Sequence, residues 1–297
     1  MSIKLILPVA LCGLLSFSAS LSVEPKQPSA EFNKFWYQGK AEVSSFDLQQ
    51  WRNGEMRPGD LVLTFYPEDF SLFKHTKTDD PKDPEDLVKV LRMTKMVSFN
   101  TGINATSIMQ SVFTPLNGTH TIRSVASLQD WIGQEFTAID LVKGHYEVDS
   151  YSYFEGEGNL QVKMPVLLLE DELPNMIRIN PDSLPSGEVE IMPNSIYCNL
   201  ARKPHEPVKA TTTVSEDPKD KNLKIYTINY PGFDRLVKIT FEKKFPHQIT
   251  KMEDAFPDTD GKKQTTVATL KNTDMLDYSR HNKQSDLYLR DSLGLRF

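Results

Sequence analysis

Apolar and polar residues alternate with a period of two along most of this chain, which is the pattern of strands that bury one face. Residues 41–49, 61–66, 106–114, 120–128, 136–142, 144–154, 188–192, 208–214, 224–230, 236–245 and 264–270 read as strands. Residues 88–100 alternate more weakly, through Val88, Val90, Met93, Val97 and Phe99. They read as a long strand, in competition with a helix through Leu87, Val88 and Leu91. Turn chemistry separates these runs: Asn53-Gly54-Glu55, Arg57-Pro58-Gly59-Asp60, Pro115-Leu116-Asn117-Gly118, Lys143-Gly144, Ser186-Gly187, and Pro231-Gly232 with Asp234. Pro67 closes the strand at 61–66, and residues 76–85 read as a charged, solvated loop. Residues 195–201 follow the strand at 188–192.

Helical spacing is scarce. Phe32, Phe35, Trp36 and Tyr37 fit one aromatic turn that plugs the end of a sheet. Residues 164–178 fit a short helix broken at Pro174, with Glu170-Asp171-Glu172 as its wet side and Arg178 placed to pair with that charge. Leu287, Leu289, Leu293 and Leu295 repeat at helical spacing near the end. Frequent hairpins imply antiparallel neighbours, and no sustained βαβ alternation is present. The fold class that follows is mainly β. It is one large twisted antiparallel sheet curled into an open or half barrel, with one or two short helices and an N-terminal signal helix. Such a curl has a concave face, where ligands usually bind.

The first residues carry an address. Lys4 supplies a positive start, residues 5–17 are apolar, and Ser18-Ala19-Ser20 offers small residues for cleavage. The run is too short for a permanent membrane helix. A competing reading is a lipoprotein anchored through Cys12. There Val9-Ala10-Leu11-Cys12 places bulky Leu11 where a small residue is preferred. The chain therefore divides into a signal peptide at 1–22, a flexible lead at 23–30, an antiparallel β domain at 31–272 and a C-terminal tail at 273–297. Localisation follows as exported, periplasmic or associated with the outer membrane. Cleavage leaves Cys198 alone, so no intrachain disulfide staples the fold, and its apolar setting suits a buried thiol. With 34 Lys+Arg against 40 Asp+Glu the net charge is −6, with the two signs interspersed. No basic stripe marks a nucleic-acid partner.

Candidate chemistry is thin. The six His pair with no Cys, His or carboxylate at zinc spacing, and no phosphate loop or nucleophile elbow occurs. No cofactor or metal site is implied, and the His at 205 and 247, each beside Pro, read as surface or capping residues in turns. Tyr151, Tyr153 and Glu155 would share one face of a strand, with Glu157 following in a Gly-rich turn. In Trp131-Ile132-Gly133-Gln134-Glu135-Phe136, Trp131 and Glu135 flank a bend. They could line a pocket, or Trp131 could be core. The candidate ligand-binding residues are thus Trp131, Glu135, Tyr151, Tyr153, Glu155, Glu157 and Arg178, with no catalytic residue among them. Asn104 and Asn117 head Asn-x-Thr sequons, which matter only on a eukaryotic secretory route.

Phe35-Trp36-Tyr37-Gln38-Gly39-Lys40-Ala41-Glu42, Phe99-Asn100-Thr101-Gly102-Ile103, Gln129-Asp130-Trp131, Ser152-Tyr153-Phe154-Glu155-Gly156-Glu157, Ile177-Arg178-Ile179-Asn180-Pro181 and Tyr226-Thr227-Ile228-Asn229-Tyr230-Pro231 run in order along the chain. On these stretches it resembles a family of uncharacterised exported proteins and lipoproteins of Gram-negative bacteria. Some members carry the label septum formation inhibitor Maf. Maf pyrophosphatases have an α/β fold and an early Ser-Pro-Arg-Arg motif, and this chain has neither feature. Members tend towards Trp-Cys-Gly-His where this chain has Trp131-Ile132-Gly133-Gln134. The resemblance brings no established activity with it.

Three functions compete. The first is a non-enzymatic envelope protein that holds a lipid, lipoprotein or other apolar ligand in a concave sheet, similar in architecture to periplasmic lipoprotein carriers of the Lol type. Its partners are a lipid or an envelope protein, with no nucleic acid and no membrane span after signal removal. The second is an assembly subunit that uses Trp51 and Tyr66 on an exposed sheet edge. The third is a carboxylate- or metal-dependent hydrolase built from Glu135, Glu155 and Glu157, which requires those side chains to converge.

Overall fold

Hairpin follows hairpin through both halves of the chain, and the strands join into one sheet. The structure, a computed structural model, describes residues 28–80, 83–118, 120–258 and 261–296. The signal segment, its cleavage site and Cys12 lie outside the described residues. The N-terminal run is α1 (Ala30–Trp36), β1 (Ala41–Arg52), β2 (Glu55–Ser71), β3 (Thr76–Lys77), β4 (Leu87–Thr101), β5 (Asn104–Pro115), β6 (Arg123–Gln129), β7 (Gln134–Val142), β8 (His145–Ser152) and β9 (Asn159–Pro165). The C-terminal run is β10 (Leu168–Leu169), α2 (Leu173–Ile179), β11 (Gly187–Met192), α3 (Ser195–Ala201), β12 (Val208–Glu216), β13 (Leu223–Tyr230), β14 (Arg235–Glu242), β15 (Ile249–Pro257), β16 (Lys263–Leu276) and α4 (Tyr288–Ser292).

The sheet order is β10-β11-β12-β13-β14-β15-β16-β1-β2-β4-β5-β6-β7-β8-β9, with β3 beside β2. Every pair is antiparallel except β10 with β11. Chain geometry makes this sheet curl. Laid flat, fifteen strands would set its edges roughly 65 Å apart. Yet β9 ends at Pro165 and β10 starts at Leu168, and three residues reach about 11 Å at most. The edges therefore converge at that corner without pairing, so the sheet is curled but not closed into a barrel.

The concave face holds the core. Ile239, Met252, Ala268, Leu48, Leu61, Val97 and Ile108 form a belt across successive strands. Three helices fill the hollow. Ser29 caps α1 by accepting from the Phe32 amide at 3.0 Å, and Phe32 and Trp36 are buried in the core. On α2, Asn175 Nδ2 donates to the carbonyls of Leu91 (3.0 Å) and Val112 (3.3 Å) and to Thr114 Oγ1 (2.9 Å). On α3, Ile196 and Leu200 join the same apolar cluster. The outer face of β1 is covered by the C-terminal segment. Leu293 is buried there, and its carbonyl accepts from Ser45 Oγ at 2.5 Å. β16 runs on to Leu276, past residue 272, before that segment folds back.

Several local expectations fail for tertiary reasons. Arg57–Asp60 forms no turn and Pro67 ends no strand, because both lie inside β2. Proline breaks a ladder only where a neighbour needs its N–H. Pro58 pairs only with Gln49 of β1, since β4 pairs from Gly59 onward. Pro67 pairs only with Leu91 of β4, since β1 pairing stops at Phe65. At both positions the central strand is locally an edge. Pro174 sits in the first turn of α2 and helps to start the helix, where a missing N–H costs nothing. The acidic run Glu170-Asp171-Glu172 is buried, not wet. Trp51 is buried and Tyr66 is half-buried, so neither is an exposed aromatic on a sheet edge.

Candidate functional site

Between the inner face and the helices lies an unsealed cavity of about 110 Å³. Its apolar wall includes Leu48, Leu61, Val97, Ile108, Val237, Ile239, Met252 and Ala268, with Pro174, Ile196 and Leu200 from the helices. Period-two alternation supplies that wall, because each strand turns every second side chain inward. The volume suits a short stretch of hydrocarbon. A longer chain must leave through the opening or displace a helix.

One side of the cavity is a buried charge network. The Arg235 guanidinium forks onto Glu170 (2.7 and 2.8 Å) and onto Asp254 (both 2.8 Å). It lies 3.7 Å from the centroid of the Tyr197 ring. Glu170 also accepts from Tyr230 Oη at 2.7 Å and from the Asn194 amide at 3.1 Å. Burial alone would raise the Glu170 carboxyl, but the Arg235 charge and these hydrogen bonds outweigh it and hold the group below the ordinary glutamate range. Asp171 accepts from Ser124 Oγ (2.7 Å), Asn194 Nδ2 (2.7 Å), Ser195 N (3.0 Å) and Ser195 Oγ (2.7 Å). Burial pushes its carboxyl up despite those donors. Glu172 accepts from the Thr121 and Leu169 amides at 3.0 and 3.1 Å. The acidic triplet thus ties the start of α2 to β6, β14 and the cap of α3. Arg235, not Arg178, is the cation that the triplet meets.

A second, polar niche lies at the same end of the sheet, beside α3. Glu135 is buried, and its carboxyl is pushed up to about 7, first by burial and then by Glu157, against Arg202 and Arg52. Glu157 pairs with Arg202 and accepts from Ser152 Oγ at 2.6 Å. The Arg202 guanidinium sits 3.7 Å from the Phe154 ring centroid. His205 belongs here and is neither a surface nor a capping residue. Its Nε2 lies 2.9 Å from Asn199 Oδ1, so the neutral ring donates from Nε2, and its buried Nδ1 has no partner. Burial lowers its pKa to about 4. Among the described residues no three His, Cys, Asp or Glu side chains are grouped to hold a metal ion.

The residues singled out from sequence are dispersed. Glu135 and Glu157 do converge, but Glu155 is exposed in the following turn. Alternation cannot carry Tyr151, Tyr153 and Glu155 on one face, because β8 ends at Ser152. Tyr151 pairs with Phe136 on the face opposite Glu135. Trp131 is 68% exposed and is not core. Tyr153 is 67% exposed and packs over Gly133, where a Cβ would stand 2.7 Å from its ring. Arg178 has no exposed surface. It pairs with Glu42 and lies 5.2 and 5.1 Å from the rings of Trp36 and Phe65, so it holds α2 to the sheet. Cys198 is buried and free, and burial raises its thiol.

Lys95, Gln50, Asn194, Tyr197, Arg235 and Asp254 line the cavity, and sequence reading passed over all of them. Lys95 had a visible signal. It occupies an inward position in the alternation Leu91, Met93, Lys95, Val97, Phe99, where the other four are core residues. No family model matches this chain, and neither a curated protein nor a solved structure matches it.

Proposed function

We propose that this protein is an exported, non-enzymatic binding protein of the cell envelope that takes an apolar or lipid-like ligand between its curled sheet and the helices in the hollow. The cavity supports the reading most directly. It is lined by apolar side chains from seven strands and two helices, lies inside the curl and remains unsealed. The chain's resemblance to exported envelope proteins agrees with it. Binding here needs no chemistry from the wall, only removal of hydrocarbon from water at about 0.8 kcal/mol per buried CH₂.

Phenylnaphthylamine, a neutral probe that fluoresces in apolar surroundings, tests this by seating one ring in the cavity and the rest in its opening. Its emission rises on mixing with the folded protein, and Ala268→Phe suppresses the rise by placing a ring between Leu48 and Met252. No rise, or equal binding by a cooperatively folded Ala268→Phe variant, refutes the reading. Native mass spectrometry of protein purified from cell envelopes gives a second check, since the absence of any co-purifying lipid counts against it.

A second reading, an assembly subunit, draws on a different feature. The β4–β5 and β6–β7 turns and the segment after β8 carry Ile103, Trp131, Ile132 and Tyr153, all exposed at one end of the sheet. Light scattering that shows a clean monomer removes the homo-oligomeric form of this reading.

A further inference from the structure

The cavity wall contains one cation whose donors the protein does not use. Lys95 pairs in register with Leu63 on one side and Gln110 on the other, and its side chain lines the cavity. Among the described residues it makes no ion pair within 4.0 Å and no hydrogen bond. The charged groups that act on it are Asp254, Glu170, Asp171 and Arg235. The carboxylates among them are already engaged. Glu170 and Asp254 share Arg235, and Asp171 is held by Ser124, Asn194 and Ser195. Loss of water around the ammonium lowers its pKa, against the raising effect of those carboxylates. Such a group costs stability unless something supplies an acceptor.

We propose that Lys95 receives the anionic head of a single-chain amphiphile, with a carboxylate as the simplest case, whose hydrocarbon lies along Leu61, Val97, Ile108, Ile239 and Met252. This rests on the cavity being the ligand site, and it adds the ligand's charge. A carboxylate offers the ammonium one or two acceptor oxygens, and a charge-assisted bond of this kind is stronger than a neutral one. The apolar belt crosses β4 at Val97, two residues from Lys95, so head and chain find adjoining surfaces.

Octanoate and octanol, each displacing phenylnaphthylamine, separate the two ideas. The unsubstituted protein prefers octanoate over octanol. Lys95→Met lowers that preference by about tenfold or more while leaving octanol binding intact. Lys95→Arg retains the preference, which shows that any loss in the Met variant reflects charge and not misfolding. Thermal melts of Lys95→Met should show no loss of stability, because Met fills an inward apolar position. If octanol and octanoate both bind but their ratio is the same in all three proteins, Lys95 is only a solvated lysine and this proposal falls while the apolar-site reading stands. If neither displaces the probe from any of them, both fall.

Discussion

Removing Arg235 tests whether the buried charge network holds the C-terminal half of the sheet to the helices. The guanidinium is 1% exposed, and its partners differ in their access to water: the Glu170 side chain is 7% exposed and Asp254 27%. In Arg235→Met, Asp254 can rehydrate but Glu170 cannot. Tyr230 and Asn194 still donate to Glu170, yet neither carries charge. Breaking a buried pair on one side costs about 3–5 kcal/mol, which in a chain of this size lowers the melting temperature by roughly 10 °C. The loss depends on pH. In the parent protein Glu170 is held below the ordinary glutamate range. It therefore contributes stability above its unfolded pKa, and that contribution is lost as pH falls through the lowered folded value. Without Arg235, burial outweighs the two remaining donors and raises the carboxyl, so the variant loses stability as pH rises. The gap between the two proteins is then small near pH 4 and widest at neutral pH. Urea unfolding followed by the fluorescence of buried Trp36 and Trp51 measures it. Arg235→Met combined with Glu170→Gln should recover at least half of the loss. A single variant within about 1 kcal/mol of the parent at pH 7, a gap that ignores pH, or a double variant no better than the single would each refute the reasoning.

Two further perturbations follow from the same geometry. Glu135 has a folded pKa of about 7 against an ordinary 4.5, so the folded state keeps a proton that the unfolded state releases. Stability accordingly falls as pH rises from about 4.5 to about 7. Glu135→Gln removes this slope and gains about 1–2 kcal/mol at pH 8, after discounting for Arg202 and partial screening; parallel stability curves for the two proteins would contradict it. Gly59 lies between Leu48 and Phe99 of the neighbouring strands, and a Cβ there would stand 2.4 Å from the Ser98 carbonyl oxygen. Gly59→Ala should cost about 1–3 kcal/mol through overpacking, read as a lower urea midpoint, and an unchanged midpoint would show that the strands separate freely at that crossing.

Local pattern determined the strand-rich, antiparallel character of this protein. Asn117-Gly118, Lys143-Gly144 and Pro231-Gly232 lie in or at the connections between strands, because turn chemistry acts over two to four residues and needs no distant partner. A period of two also sorted each strand's side chains into two faces, but which of them faces the hollow was decided by the curl. By the same rule Lys95 stands in an apolar alternation, a signal that the sequence reading passed over. What lay beyond reach was anything set by pairing across the sheet. Pro58 and Pro67 are tolerated within β2 only because one neighbouring strand is absent at each. Glu170 looked solvated because its partner, Arg235, comes 65 residues later. His205 looked like a turn residue until α3 brought Asn199 against it. Burial of a polar group depends on who satisfies it, and in a curled sheet of sixteen strands that partner is chosen by topology, not by the residues on either side.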